Sequence, residues 1–395
     1  MLTSFSVENY RAFATEQRIA LKPITLFFGW NSGGKSSLLR FLPLLSESIQ
    51  AKSRPIWLSG EVGRRASWAD LVCKGTENDQ LRFSLEWEDE NLSKAEWSIS
   101  GDLSGAWQEI RDFKINNNSK ELHLIEFEGL CPSRKELNIY KEIELNLKLR
   151  SISREVQWLQ GLRRKTDRFT QYGGGTTHLI KSDGSDAADH LIESHGNYDK
   201  SVFDEVQNFF RGMNEELSLD NSASGIWRLL LCPKGKPTTR IALCDTGEGY
   251  SQVLPVLVAL ARAKHDGPRL LCLEQPELHL HTRAQAQLAL QLVSAATSLT
   301  KPRILVETHS EVLLSSIQLA IARKELNADD VQVYWIESSE DGTGRALPVN
   351  FNENGQPDNS LLSGAFGEAL RIGQQLIEAQ LRNIGISSNL TIRPS

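Results

Sequence analysis

Gly29-Trp30-Asn31-Ser32-Gly33-Gly34-Lys35-Ser36 follows the apolar run Ile24-Thr25-Leu26-Phe27-Phe28, and it fits the pattern G-x-x-x-x-G-K-[ST] of a phosphate-binding loop. The apolar run reads as a buried strand. The loop glycines let the backbone turn tightly, so that successive N–H groups and the N-terminus of the next helix point at a phosphate. Lys35 is placed to reach the β- and γ-phosphates and Ser36 to offer its hydroxyl oxygen to Mg2+. Asn31, Ser32, Gly33, Gly34 and Ser37 complete the loop, and Leu38, Leu39, Phe41, Leu42 and Leu45 continue as the apolar stripe of a helix packed on a sheet. The stretch predicts a nucleoside triphosphate site.

The chain has 395 residues, 40% of them hydrophobic and 24% charged, with a net charge of −6. Such a length predicts two or three lobes rather than a small stapled module. No apolar run long enough for a transmembrane helix occurs, and Met1-Leu2-Thr3-Ser4-Phe5-Ser6 lacks the features of a signal peptide. A cytoplasmic location without membrane contact is expected. Cys73, Cys131, Cys232, Cys244 and Cys272 contain no C-x-x-C pair, which argues against a disulfide framework and a zinc knuckle. The acidic balance offers nucleic acid no global attraction, so DNA contact needs a local basic face.

Residues 1–53 read as strand, loop and helix. Over 54–150 alternation dominates: Leu81, Phe83, Leu85 and Trp87 face one way, and Ile143, Leu145, Leu147 and Leu149 repeat the pattern. The period predicts an inserted lobe of antiparallel strands, broken at Glu88-Asp89-Glu90-Asn91 and Asn116-Asn117-Asn118-Ser119. Residues 151–226 form a mixed stretch of loops with one amphipathic helix through Val202, Val206, Phe209 and Phe210. Over 227–315 strand and helix alternate: strands at Trp227–Cys232 and Ile241–Cys244, a helix from Ser251 to Lys264 with Pro255 in its first turn, a strand at Leu270–Leu273, a helix from Thr282 to Ser298 and a strand at Ile304–Val306. Alternation of this kind implies an α/β fold with a mainly parallel sheet flanked by helices, and with ligands at the carboxyl ends of the strands. Residues 316–395 form an extension with a strand at Val331–Ile336 and a last helix from about 365 to 383.

An apolar strand closed by an acidic residue downstream of a phosphate-binding loop suits a Mg2+-holding carboxylate, and Glu274 is the candidate. After Gln275-Pro276-Glu277-Leu278, His279 and His281 fit either a strand-to-helix turn or a transition-metal pair without a third ligand nearby. Asp245-Thr246-Gly247-Glu248-Gly249-Tyr250-Ser251-Gln252 is a second glycine-rich loop opening a helix, with Ser251 as the expected N-cap. It is either an ordinary capped helix or a loop that closes over the nucleotide of a second copy, giving a symmetric dimer. His309, at a third strand end, is either structural or a neutral imidazole that senses a γ-phosphate or a polarised water.

In this order the segments resemble ABC-type ATPase heads of the RecF, SMC and OLD kind, over residues 1–50 and about 225–315. Phe5–Phe13 looks like the opening strands of such heads, Gly29–Ser36 the Walker A loop, Gly247–Gln252 the signature loop, Leu270–Glu274 the Walker B strand and His309 the switch histidine. Glu274-Gln275-Pro276-Glu277-Leu278-His279-Leu280-His281 together with Glu307-Thr308-His309-Ser310-Glu311 looks like the OLD-type ATPases of bacterial anti-phage defence. Leu159–Arg163 and Val331–Val349 are similar to that subgroup too.

The resemblance implies a P-loop NTPase of ABC-ATPase-head type with ATP and Mg2+ as cofactors. Catalysis would fall to Glu274, Gln275, Glu277 and His309, with Gly249 and Ser251 serving the nucleotide of a second copy and Arg11 approaching the nucleotide. It places Gln275 where many such ATPases carry the glutamate that polarises water; glutamine cannot accept a proton, so slow hydrolysis is expected unless Glu277 or His309 compensates. No glutamine is singled out for the Q-loop. OLD nucleases continue into an acidic Toprim domain, for which residues 310–395 are too short, so the expected effector is a separate polypeptide from a neighbouring gene.

The expected function is an ATP-driven head-to-tail dimer, or a larger assembly of it, that acts as sensor or scaffold for that effector. One rival is a DNA-clamping repair ATPase, for which the densest basic cluster, Arg163-Arg164-Lys165-Thr166-Asp167-Arg168-Phe169, supplies the contact. Another is a metal-dependent nuclease using Glu274, Glu277 and the two histidines.

Overall fold

The computed structural model describes residues 1–30, 32–76, 78–102, 107–116, 118–119, 126–133, 139–196, 200–223 and 225–362, together with residue 375. The chain opens with β1 (Leu2–Glu8) and β2 (Gln17–Ala20), then β3 (Ile24–Gly29) runs into the glycine-rich loop and α1 (Lys35–Ala51). A short α2 (Trp68–Leu71) precedes β4 (Gln80–Trp87), β5 (Lys94–Gly101), β6 (Gln108–Ile115) and β7 (Asn118–Ser119). A small ribbon of β8 (Glu126–Glu128) and β9 (Cys131–Ser133) leads to α3 (Ile139–Glu155), β10 (Val156–Leu159) and β11 (Thr170–Gln171). Next come α4 (Ala187–Gly196), α5 (Ser201–Gly212), β12 (Glu215–Ala223), β13 (Ile226–Pro233) and β14 (Ile241–Ala242). The last part alternates α6 (Glu248–Ala263), β15 (Leu270–Glu274), α7 (Thr282–Ala296), β16 (Arg303–Glu307) and α8 (Glu311–Ala322), then closes with the hairpin β17 (Val331–Ser338) and β18 (Gly344–Val349).

The central sheet has the order β10-β15-β16-β3-β17-β18, and every pair but the last is parallel. Strands in such a sheet are buried on both faces, which is why β3 and β15 are buried at every residue and mostly apolar rather than alternating. Leu26, Phe28, Leu271, Leu273, Val306 and Trp335 pack with α4 to α8 on one side. Phe27, Cys272, Leu305, Tyr334 and Ile336 pack on the other with α1, α3 and the antiparallel sheet β2-β1-β4-β5-β6-β7. The antiparallel layer therefore draws β1 and β2 from before the glycine-rich loop as well as strands from 54–150. Leu81, Phe83, Leu85 and Trp87 all face its core.

Several expectations need correction. Residues 143–149 are helical: within α3, Leu145, Leu149 and Ile152 are buried while Ile143 and Leu147 are exposed. Burial at spacings of four and three residues marks a helix, and the isoleucine and leucines at the odd positions 143–149 make a coincidental period-2 pattern. β13 and β14 do not join the parallel sheet; with β11 and β12 they form a separate antiparallel sheet. The helix after the second glycine-rich loop begins at Glu248 with Gly247 as N-cap, so Ser251 is an interior residue and Pro255 lies mid-helix. The helix expected at 365–383 lies outside the described residues, apart from residue 375.

Candidate functional site

Gly29 ends β3 where β17 runs alongside; a Cβ there would come within 2.1 Å of the Ile336 carbonyl, so only glycine fits. Gly34 caps α1 in the left-handed region at φ 104°, against the Phe13 ring. Between them Ser32 is exposed and Gly33 buried, while Asn31 lies outside the described residues. Lys35 is folded back over the loop: its Nζ donates to the carbonyls of Gly29 at 3.1 Å and Trp30 at 2.6 Å. Burial holds its ammonium below the usual lysine pKa, against an opposing pull from Glu307. Ser37 is half-buried in the first turn of α1, its N–H donating to the Gly34 carbonyl at 3.0 Å.

The strand next to β3 is β16, and beyond it lies β15. Glu307 and Glu274 are register partners at their carboxyl ends, so both carboxylates leave the same edge of the sheet. Ser36 Oγ donates to Glu307 Oε1 at 2.8 Å. Glu307 Oε2 is buried without a partner, and burial raises its carboxyl pKa. Glu274 is held differently. Arg40, one helical turn after Ser36, donates Nε and Nη2 to its two oxygens at 2.6 and 2.5 Å, Trp158 Nε1 donates at 2.7 Å, and the Gly161 N–H lies at 3.4 Å. Ser36 and Glu274, the two residues expected to hold Mg2+, share no hydrogen bond; the Ser36 hydroxyl is on Glu307 and Glu274 is on Arg40.

After β15 the chain turns sharply. Gln275 has φ 40° and its N–H donates to the Glu307 carbonyl at 2.8 Å. Glu277 is buried; its Oε1 accepts from Thr308 Oγ1 at 2.7 Å and the His309 N–H at 2.9 Å, while Oε2 is buried without a partner. Burial pushes its carboxyl upward, and the two donors pull it back in part. The His309 side chain reaches solvent, its pKa lowered by burial and by the Lys35 ammonium, so the ring is neutral near pH 7. His281 caps α7 through Nδ1, and His279 is exposed. Among the described residues, no three His, Cys, Asp or Glu side chains gather where they could hold a metal ion.

In the second glycine-rich loop, the two residues expected to serve the nucleotide of a second copy are buried within this chain. Gly249 is buried against the Asn-free turn before α7, where a Cβ would meet the His279 carbonyl at 2.5 Å, and Ser251 is only 4% exposed. The exposed residues of the loop are Asp245, Gly247 and Glu248, with Thr246 half-buried between them. Arg11 sits with φ 55° beside a cleft of about 410 Å3 that it shares with Asp70, Lys74 and Thr343; its neighbours Ala12 and Phe13 touch Gly34.

One residue of the basic cluster is buried, while Arg164, Lys165 and Arg168 are exposed with carboxylates nearby. Arg163 is 2% exposed and its guanidinium donates to the carbonyls of Gln252 (2.6 Å), Gln160 (2.9 Å), Glu274 (2.9 Å) and Gln275 (3.2 Å). Its backbone N–H and carbonyl exchange hydrogen bonds with the Gln252 amide. Burial lowers its pKa to about 10. Arg164 lies near Asp167, and Lys165 and Arg168 pair with Glu248 and Asp245 of the glycine-rich loop. A sequence scan sees only consecutive positive charges; the acidic partners are about 80 residues away.

Arg40, Trp158, Gln160 and Glu307 belong to the same constellation and were not singled out. Gln160 follows β10, the neighbour of β15, and repeats the signal used for Glu274: an apolar strand closed by a polar residue. Arg40 had a signal in its spacing of four from Ser36.

The fold is that of an SMC-head P-loop ATPase. It superposes on a structure titled an SMC head bound to the C-winged helix domain of ScpA with a TM-score of 0.53 and 11% identity, over 88% of this chain and 98% of that one. For an SMC head with an extended coiled coil, bound to the C-terminal domain of ScpA, from Pyrococcus furiosus, the TM-score is 0.52 at 10% identity, over 95% and 99%. Residues 178–315 of this SMC-head-like chain match a family model described as "AAA domain, putative AbiEii toxin, Type IV TA system". A comparison with curated proteins finds no match. No described helix is long and apolar enough to cross a membrane.

Proposed function

We propose that the chain binds ATP with Mg2+ on the Gly29–Ser36 loop, hydrolyses it slowly, and dimerises head to tail around two nucleotides to control a separate effector in anti-phage defence. The observation that carries this reading is the convergence of Lys35, Ser36, Glu274, Gln275, Glu277, Glu307 and His309 at the carboxyl ends of adjacent parallel strands. Ser36 and a carboxylate at the neighbouring strand ends would hold Mg2+, which when bound would supply positive charge to offset that of the phosphates. The Lys35 ammonium then exchanges two loop carbonyls for phosphate oxygens. Gln275 orients the attacking water, and the proton goes to Glu277 or to neutral His309, since an amide cannot take it.

The outward part of the second glycine-rich loop, Thr246 to Glu248, faces the second copy in place of Ser251. Closure is favoured because ATP contacts both copies only in the dimer. The words "toxin" and "Type IV TA system" in the matching family description support a setting with a second component. The SMC-head fold is also consistent with a DNA clamp as an alternative; Arg163 is buried and takes no part in such a face, and the exposed Arg164, Lys165 and Arg168 each lie near a carboxylate that a phosphate would have to displace.

Mass in solution with and without ATP and Mg2+, alone and co-expressed with the neighbouring gene product, tests the reading. An ATP-dependent dimer, lost in Lys35→Ala and able to retain the neighbour, is expected. An ATP-insensitive monomer, or a Lys35→Ala chain that still dimerises with ATP, overturns it.

A further inference from the structure

The two carboxylates at the sheet edge are not equivalent. Glu274, on the strand where the resemblance puts the metal ligand, has both oxygens occupied: Oε1 accepts from Arg40 Nε and Trp158 Nε1, and Oε2 from Arg40 Nη2 and the Gly161 N–H. Its charge is matched by a guanidinium in two-pronged geometry, the strongest form of such a pair. Glu307 has one oxygen on the Ser36 hydroxyl and the other buried and unpartnered. Lys35 gives its ammonium to the loop carbonyls of Gly29 and Trp30 instead.

We propose that Glu307, not Glu274, is the carboxylate that holds the Mg2+ of the nucleotide, and that Glu274 is a fixed counter-ion for Arg40. The inference rests on the ATP-binding reading above. Mg2+ characteristically takes one or two carboxylates and completes its shell with water and phosphate oxygens. Ser36 meets this need while keeping its proton on Glu307 Oε1, because its hydroxyl oxygen still has lone pairs to give. Glu307 Oε2 is the oxygen available to the cation or to one of its waters. To do the same, Glu274 would have to leave Arg40 and strand a half-buried guanidinium. The metal carboxylate has in effect moved one strand nearer to the phosphate-binding loop, since β16 adjoins β3 and β15 does not.

The test measures binding of a fluorescent methylanthraniloyl-ATP to the full chain with Mg2+ and with EDTA, in the wild type, Glu307→Gln and Glu274→Gln. Bound Mn2+ is counted by electron paramagnetic resonance in the same samples. In Glu307→Gln the tightening by Mg2+ is expected to shrink by about tenfold or more, with loss of bound Mn2+. The melting temperature without metal should hold or rise, because an isosteric amide replaces a costly buried carboxyl. Glu274→Gln is expected to keep the Mg2+ effect and to melt earlier, because Arg40 loses its partner. If Glu274→Gln loses the Mg2+ effect while Glu307→Gln keeps it, or if both lose it equally, the assignment is overturned. A wild-type chain that binds no nucleotide defeats the ATP-binding reading itself, and this inference with it.

Discussion

Arg163→Ala separates a buried tie from a nucleic-acid contact. The side chain donates four hydrogen bonds, all to backbone carbonyls, at the meeting point of the β10 end, the β15 end and α6. Removing it strands four acceptors in a site that is 2% exposed. Hydrogen bonds from a charged donor contribute about 1.5–3 kcal/mol each, but the four share one group and water can enter the space left. A net loss of about 3–5 kcal/mol is expected, the range for breaking a buried charged network from one side. In hydrogen exchange this corresponds to a fall in protection of about 150- to 5000-fold. The fall should be confined to residues 160–163, the first turns of α6 and the turn at Gln275, with the antiparallel sheet unchanged. Wild-type protection at these amides in Arg163→Ala, combined with weaker and less salt-sensitive DNA binding, would refute the reasoning and restore the basic cluster as a contact surface.

Gln275→Glu should raise ATP turnover if proton acceptance limits the rate; an unchanged rate in steady-state phosphate release would shift the role to Glu277 or His309. Acid sensitivity should come in part from His190, which is 3% exposed and whose pKa burial lowers to about 3. The unfolded chain takes up this proton below about pH 6.5 and the folded chain does not, so stability falls with pH, by about 2 kcal/mol between pH 6.5 and 5. Glu277 and Glu307 act in the opposite direction, because their raised values let the folded chain bind protons first. Melting temperatures at pH 7 and 5 should therefore differ less in His190→Asn than in the wild type, and an identical drop would refute the assignment.

The parallel sheet and its loop were legible because they are local: a buried strand, a glycine turn and a helix lie within thirty residues, and the apolar runs at 270–273 and 304–306 have no polar face to confuse them. Leu145 and Leu149 misled because leucine at alternate positions satisfies a strand period and a helix period together, and only burial distinguishes them. Ser251 misled because a serine next to a glycine-rich loop looks like a cap, whereas α6 already starts at Glu248. The roles of Glu274, Glu307 and Arg163 were beyond one-dimensional reading for another reason. Each depends on which groups from distant segments arrive beside it: Arg40 claims Glu274, Ser36 claims Glu307, and the carbonyls of three segments claim Arg163.

Pro255 changes how α6 can respond to force. Having no N–H, it cannot bond the carbonyl of Ser251, and its ring packs on Gly184, where a Cβ would lie 2.3 Å away. The helix is therefore two rods in series. The rear rod, from Val256 to Ala263, is sunk in the core. The front rod carries the outward loop and, through Gln252, the tie to the strand ends. The missing hydrogen bond lies where the loop-bearing end meets the rest of the helix, and Arg163, bonded to Gln252 there, links that end directly to the carboxyl edge of the sheet.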